Sequence, residues 1–203
     1  MRGLIFIVLF FFLQTAFAQF PSELWHDGKV VLLDGDTLKG SVKYDLERGI
    51  IQLNDTKTIE AYTARKVLYF NIFDKTVNRY RQFYAIPYNV AIDYKTPVFF
   101  EVLYEGKLTL LGREYITTQT TSYGPSIGSG SYSRQVLMYR YYFLDANGSI
   151  ILYGKHKKEL LAYMRKFNTE INEYIKKNRL HYDDKADLIH IVRYYNTLIN
   201  PKN

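Results

Sequence analysis

The clearest pattern in the chain is the alternation of apolar and polar residues that follows Asp34-Gly35. The apolar or small residues of this run occupy every second position: Leu38, Gly40, Val42 and Tyr44. A period of two is typical of an antiparallel strand with one buried face. A second apolar run precedes Asp34-Gly35, and this dipeptide favours a type I′ turn. We therefore predict a β-hairpin over residues 29–44.

Short apolar runs separated by turn signals continue as far as Tyr153. Glu105-Gly106 and Asn147-Gly148 each separate two such runs and predict two further hairpins. No helical pattern alternates with these runs, which argues against a parallel sheet. We expect about nine or ten short strands in a mainly antiparallel β sandwich or partly open barrel.

From Lys155 the period of the pattern changes to that of a helix. Residues 157–164 predict a short helix, Asn168 or Thr169 can cap a second, and Asp184 can cap a third. The third helix carries apolar residues at helical spacing: Leu188, Ile191, Val192, Tyr195, Leu198 and Ile199. This stripe must be buried against another surface, so we expect an α+β fold with about three C-terminal helices packed on the β structure.

The N-terminus has the features of a secretory signal peptide. Arg2 precedes a continuous apolar run, Leu4–Leu13, and Ala16-Phe17-Ala18 has the small-x-small pattern that signal peptidase recognises. The run is too short to span a bilayer as a helix. No cysteine follows the cleavage site, so a lipid-modified cysteine is excluded. We predict export to the periplasm or secretion, with no transmembrane segment in the mature chain.

The predicted organisation has three parts. They are a signal peptide over 1–18, an antiparallel β domain over 19–154, and a basic helical segment over 155–203. Within the β domain, residues 117–134 consist mostly of Gly, Ser, Thr and Tyr and are predicted to form a long flexible loop. Such a loop is either a lid over a ligand site or a tolerated surface loop.

Composition limits the chemistry and the partners. The chain has no cysteine, so an exported form has no disulfide and its core is stabilised by packing alone. The formal net charge is +7, and the excess lies in the C-terminal segment, which has 11 Lys and Arg against 6 Asp and Glu. Export argues against nucleic acid as a partner. An envelope polyanion, a glycan or an acidic protein fits this segment, and an ordinary solvated surface is the alternative.

Catalytic and metal-binding patterns are weak in this sequence. It has no cysteine and no Gly-x-Ser-x-Gly after a strand, so a serine or cysteine hydrolase is not expected. Residues 181–190 contain two histidines and three aspartates, but helix capping explains Asp184 and Asp187. Asp34 and Asp36 flank a turn glycine, where aspartate is common. We predict no catalytic residue, no metal and no cofactor.

Four charged residues are the candidates for ligand binding. Glu101 and Arg140 are lone charges within apolar strands, where an unpaired buried charge is costly. They either face a common interior, where they pair or recognise a polar ligand, or face solvent. Arg79 and Arg81 share one face of a strand rich in tyrosine. Arginine beside aromatic rings can bind sugars, and a solvated strand face is the alternative.

The chain resembles uncharacterised exported proteins of Bacteroidota. The similarity is carried by the run GKVVLLDGDTLKG over 28–40, by Asp187-Leu188-Ile189, by Tyr194-Tyr195-Asn196, and by the Ala18-Gln19 junction. The resemblance implies an envelope or secreted location in a Gram-negative bacterium. It implies no activity and no catalytic residues.

Three functions remain open from the sequence. We expect first a non-catalytic envelope protein that acts as a binding or structural module. The alternatives are an enzyme that acts on envelope glycans through Glu101 or another carboxylate, and an adaptor that docks a partner through its basic helices. A carboxylate pair in a deep pocket would favour the enzyme.

Overall fold

A computed structural model describes residues 20–91, 94–122 and 130–200 of the chain. The fold is α+β: an antiparallel sheet of ten strands is followed by three helices, as the sequence predicts. Within these residues no helix is both long and apolar enough to cross a membrane. The predicted signal peptide, residues 1–18, lies outside the described residues.

The strands form one continuous sheet. Their bounds are β1 His26–Leu32, β2 Thr37–Asp45, β3 Ile50–Asn54, β4 Ile59–Thr63, β5 Val67–Asp74, β6 Arg79–Ala91, β7 Tyr94–Tyr104, β8 Thr109–Ser122, β9 Ser131–Leu144 and β10 Ile150–Tyr153. Their order across the sheet is β10-β9-β8-β7-β6-β5-β1-β2-β3-β4. Strands that follow one another in the chain are therefore neighbours in the sheet, with one exception. β5 pairs with β1 and not with β4.

The opening hairpin forms, but its turn differs from the predicted type. β1 and β2 pair in antiparallel register, and Val42 and Tyr44 are buried as the alternation predicts. The loop between them comprises residues 33–36, in which Gly35 has φ +99° and Asp34 does not have positive φ. A type I′ turn needs positive φ at both central residues, so that prediction is wrong.

The sheet curls so that its first strands face its middle strands. The ring centroid of Tyr44 in β2 lies 5.6 Å from that of Phe83 in β6 and 5.7 Å from that of Phe99 in β7. In a flat sheet, β2 and β7 would be roughly 19 Å apart, which is four strand spacings. The concave face therefore encloses one apolar core between its first and middle strands, in an open β structure whose edges are β4 and β10.

The helices cover the other half of the same concave face. They are α1 Lys157–Tyr163, α2 Asn168–Asn178 and α3 Lys185–Ile199. Their buried residues pack with those of β8, β9 and β10 in a second core: Leu110, Tyr141, Phe143, Tyr153, Leu160, Met164, Ile171, Leu188, Ile191 and Val192. Asp184 caps α3, as predicted, and accepts from Ala186 N and Asp187 N. Neither Asn168 nor Thr169 caps α2, which begins after Phe167 without a side-chain cap.

The buried side chain of Asn196 attaches α3 to the sheet. Its Oδ1 accepts from Leu108 N at 3.1 Å, and its Nδ2 donates to Leu108 O at 2.8 Å. A Cβ at Gly106 would lie 2.5 Å from Asn196 Oδ1, so the turn between β7 and β8 approaches the helix closely because it contains glycine.

The predicted flexible loop over 117–134 is strand over residues 117–122 and 131–134. β8 and β9 stay paired as far as Ser122 and Ser131, whereas pairing of β8 with β7 ends at Gly112. The hairpin therefore extends beyond the sheet as a two-stranded ribbon. Its repeated β-branched threonines favour strand structure, a preference that the Gly and Ser content obscures in the sequence. Residues 123–129 lie outside the described part of the chain.

Candidate functional site

A cleft of about 500 Å³ opens on the concave face between the start of α3, the turn from β5 to β6, and β8 and β9. It lies at the seam between the two cores. Its lining includes charged residues of the sheet and three apolar side chains, Val77, Leu137 and Ile189, which we call the apolar wall. This volume is in the range of small-molecule sites.

Arg81 is the centre of a buried network of charges at the floor of this cleft. Its Nε and Nη2 donate to the two oxygens of Glu101 at 2.9 and 2.8 Å. Its Nη2 also lies 2.8 Å from Glu114 Oε1, and its Nη1 donates to Asp74 Oδ2 at 3.2 Å. The four side chains are at most 5% exposed. The single guanidinium of Arg81 therefore neutralises only part of the charge of the three carboxylates. Arg79 and Lys185 supply the two further positive charges that make the network neutral.

Strand alternation explains why these charges meet. Phe99 and Glu101 point to the concave face from β7, while Phe100 between them packs on the convex face. On β8, Glu114 lies directly opposite Tyr139 of β9 in the register of the hairpin. Each polar residue continues an otherwise apolar row on the inner side of its strand.

Asp74 reaches Arg81 because it also organises the turn between β5 and β6. Its Oδ1 accepts from Thr76 N at 3.0 Å and from Thr76 Oγ1 at 2.6 Å, which leaves Oδ2 for the guanidinium. Asn78 completes the turn with φ +49°, a conformation that asparagine tolerates better than most residues. The turn therefore fixes both the carboxylate and the start of β6.

Tyr139 and Lys185 connect the network to the helices. The hydroxyl of Tyr139 lies within hydrogen-bond distance of Glu101 and Glu114, and it accepts from Lys185 Nζ at 2.7 Å. Lys185 is the first residue of α3, directly after its capping residue. Burial lowers the pKa of Lys185 to about 8, although the charge of Glu101 opposes this shift. Burial also raises the pKa of Tyr139, so its hydroxyl stays protonated at neutral pH.

The environment of Glu101 keeps it ionised. Burial alone would raise the pKa of this carboxyl, but the charge of Arg81 and its two hydrogen bonds outweigh burial and lower the pKa. The same pairing raises the pKa of Arg81 against the effect of its own burial. Both groups are charged at neutral pH, and their hydrogen-bonding capacity is largely used within the network.

Two cations at the rim retain unused donors. Arg79 Nη2 lies 3.7 Å from Glu101 Oε1, and Lys185 Nζ lies 3.7 Å from Glu101 Oε2. These distances are longer than hydrogen bonds. The side chain of Arg79 is 46% exposed and that of Lys185 is 22% exposed. These two cations therefore present free hydrogen-bond donors to the cleft.

The structure brings three of the four predicted residues together. Glu101, Arg79 and Arg81 meet at the cleft, and the face shared by the two arginines is the inner one. Of the two alternatives for Glu101 and Arg140, a common interior in which they pair is wrong. Arg140 is exposed, and its guanidinium lies over the ring of Tyr115 at 4.4 Å from the centroid. Because it follows Tyr139 directly in β9, its side chain points to the opposite face of the sheet.

The sequence reasoning missed four members of the site: Asp74, Glu114, Tyr139 and Lys185. A signal existed for Glu114, which occupies the next inward position after Leu110 and Gly112 in an alternating run. Asp74 and Lys185 carry no such signal, since one ends a strand at a turn and the other begins a helix.

The other acidic candidates serve local structure. Asp34 Oδ1 accepts from Asp36 N at 3.1 Å within the first turn. Asp184 caps α3, and Asp187 Oδ2 accepts from His181 N at 2.8 Å. In the described parts of the chain, no group of three or more His, Cys, Asp or Glu residues is arranged to hold a metal ion.

Comparison of the chain with protein-family models, with curated proteins and with solved structures gives no match.

Proposed function

We propose that this protein is a non-catalytic, exported envelope protein and that the cleft above Arg81 is its ligand-binding site. The observation that carries the proposal is the combination of a floor whose charges pair with one another and unused donors at the rim of the same cleft. A pre-formed site of this kind binds without reorganising, which lowers the entropic cost of binding.

The state of the carboxylates supports binding over hydrolysis. Glycoside hydrolysis through a carboxylate pair needs one acid that is protonated near neutral pH. The lining carboxylates Asp74 and Glu114 both contact Arg81, which opposes that role. The buried Glu101 has a lowered pKa and two hydrogen bonds to Arg81, which oppose it as well. Incubation with a ligand that binds should therefore leave its mass unchanged, and a new product detected by mass spectrometry would contradict the proposal.

Two alanines allow the binding site to be tested without disturbing the charges. Ala186 is exposed at the start of α3 and lines the cleft, so Ala186→Trp should fill it. Ala162 is exposed on α1 and lines a different depression, which shares no residue with the cleft, and Ala162→Trp is the matched control. We expect small molecules from an envelope extract to co-purify with the wild type and with Ala162→Trp, and to be lost from Ala186→Trp.

The basic helices support a second candidate function, partner docking. Lys157, Lys158 and Arg165 surround a surface depression whose floor includes Leu161 and Ala162. Positive charge around an apolar floor suits an acidic protein or another envelope polyanion. If retention at the envelope depends on this surface, Ala162→Trp will lose it and Ala186→Trp will keep it, the reverse of the result expected for the cleft.

Export is tested separately from binding. The full chain, produced in a Gram-negative host with a C-terminal tag, should appear in the periplasmic or secreted fraction. N-terminal sequencing of that material should start at Gln19. Recovery of the uncleaved chain from the cytoplasm would contradict the proposed location.

A further inference from the structure

We propose that the cleft binds an amphipathic anion, a molecule that joins a carboxylate or phosphate head to an apolar tail. The head lies between Arg79 and Lys185, and the tail lies along the apolar wall. This inference rests on the proposed function, because it names the ligand class of the same site.

The distribution of donors and acceptors identifies the head. The carboxylates of Asp74, Glu101 and Glu114 are turned toward Arg81 and accept from it or lie in contact with it. The side chain of Arg79 makes no hydrogen bond within the described residues, and Lys185 uses one of its three donors for Tyr139. Asp184 also lines the cleft, where its Oδ1 accepts from Ala186 N and Asp187 N as the cap of α3. The donors of Arg79 and Lys185 are the groups that select an acceptor. Carboxylate and phosphate are the acceptors that cations bind most strongly.

The position of the two cations suits a single head group. Each lies 3.7 Å from a different oxygen of the same carboxylate, so they flank one point of the floor from two sides. Arg79 comes from the sheet and Lys185 from α3, and both are partly exposed to the cleft. A head group between them would replace the long contacts of Arg79 and Lys185 with Glu101 by two charge-assisted hydrogen bonds to the ligand. Arg81 would keep its own partners.

The apolar wall identifies the rest of the ligand. Val77 is 53% exposed on the turn between β5 and β6, and Leu137 and Ile189 are partly exposed on β9 and α3. The volume of about 500 Å³ is much larger than a single phosphate or carboxylate needs. The six charges of the network balance, and Asp184 at the cleft adds one negative charge. The head alone should therefore bind weakly, and the tail must contribute. Burial of one methylene should strengthen binding about fourfold.

Binding should be linked to protonation of Lys185. An anion beside this ammonium favours its charged form, so its pKa of about 8 in the free protein should rise on binding. The groups that face Lys185 from the packed elements are Arg79, Arg81, Glu101, Glu114 and Tyr139, and Asp184 precedes it in the chain. Near pH 8 the complex should therefore take up a fraction of a proton, and affinity should fall as the pH rises above 8.

The experiment is isothermal titration of the full mature protein with decyl phosphate below its micellar concentration. Hexyl and octyl phosphate measure the contribution of the tail, inorganic phosphate tests the head alone, and decyl maltoside tests a neutral head. We expect saturable binding of decyl phosphate, a loss of about fourfold per methylene removed, and little or no binding of the two partial probes. Titration in two buffers of different ionisation enthalpy measures the proton uptake.

Variants test whether the heat of decyl phosphate binding arises in the cleft. Arg79→Ala and Lys185→Met should each weaken decyl phosphate binding at least about tenfold, and Lys185→Met should abolish the proton uptake. Arg79→Lys keeps the charge and should lose less affinity for decyl phosphate than Arg79→Ala. Lys75→Ala removes an exposed cation from the same turn, one that pairs with Asp27 at 3.0 Å, and should bind as the wild type.

The possible results separate this inference from the proposed function. If decyl maltoside binds as well as decyl phosphate and Ala186→Trp blocks both, the cleft binds ligands but the anionic head is wrong. If no probe binds, the ligand class is wrong, and the envelope-extract experiment with Ala186→Trp and Ala162→Trp decides the proposed function. If Ala186→Trp and both cation variants bind the probe as the wild type does, both proposals are wrong. Vesicles of phosphatidylglycerol and of phosphatidylcholine distinguish the source: binding to the anionic vesicles indicates a lipid head group, and binding to monomeric decyl phosphate alone indicates a soluble anion.

Discussion

Replacement of Arg81 by methionine should be among the most destabilising single changes in this protein. Methionine retains much of the apolar stem, which packs near Phe83, and removes the charge. At 2.8 Å and an effective dielectric constant of about 20, each contact to Glu101 or Glu114 has a Coulomb energy of about 6 kcal/mol. Desolvation of the ions offsets most of this gain. Loss of one partner from a buried pair typically costs about 3–5 kcal/mol, and we expect that loss here.

Arg79→Met is the matched control, because the two arginines lie on the same face of the same strand. Arg79 is 46% exposed and 3.7 Å from Glu101, where the Coulomb energy in water is about 1 kcal/mol before screening. Such pairs contribute about 0–1 kcal/mol. The assay is urea unfolding at pH 7, with the free energy of unfolding taken from the midpoint and slope. Equal losses for the two variants would refute the account of the network.

The pH dependence of the same variant gives an independent check. In the wild type the pKa of Glu101 is lowered, so its contribution to stability is present above the unfolded pKa of about 4.3 and is lost as the pH falls through the lower folded value. Without Arg81 the carboxyls can relieve their repulsion by binding protons. The loss of unfolding free energy that Arg81→Met causes relative to the wild type should therefore become smaller as the pH falls from 7 toward 4. A loss that does not change with pH would contradict this explanation.

Two further predictions concern the frame around the site. Asn196→Ala should cost about 2–3 kcal/mol in the free energy of unfolding, because it leaves buried backbone groups of the turn between β7 and β8 unpaired; the exposed Thr197→Ala should change it by less than about 0.5 kcal/mol. Gly28→Ala should cost at least about 2 kcal/mol, because its Cβ would lie 2.4 Å from a backbone oxygen of β5. Gly130→Ala is the control, because no atom of the described residues lies within 4 Å of the added Cβ, and thermal unfolding of both glycine variants measures the difference.

The β and helical parts of the fold could be predicted because their signals are local. Alternation in β2, turn residues such as Asn147-Gly148 and the capping role of Asp184 each depend on a few neighbouring residues, and the structure contains all of them. The ribbon beyond Gly112 was not predicted. Its pairing is stabilised by cross-strand contacts, which the composition of 117–134 does not reveal.

The candidate site could be predicted only in part, because its contacts are long-range. Glu101 was identifiable as a lone charge in an apolar strand, but its partner depends on the register of β6 against β7 and on which element covers the sheet. Arg140 is likewise a lone charge in an apolar strand, but it lies on the face of the sheet opposite the cleft. Both faces of β9 are apolar near Tyr141 and Tyr142, so the sequence pattern does not distinguish the inner side from the outer one.

The central claim is that the cleft above Arg81 is a binding site whose floor stays intact when it is occupied. A crystal structure of the protein grown with decyl phosphate tests it most directly. We predict the head group within hydrogen-bond distance of Arg79 and Lys185, the tail against Val77, Leu137 and Ile189, and Arg81 still bound to Glu101. Decyl phosphate bound elsewhere on the protein with the cleft empty, or bound by displacement of Glu101 from Arg81, would contradict the account.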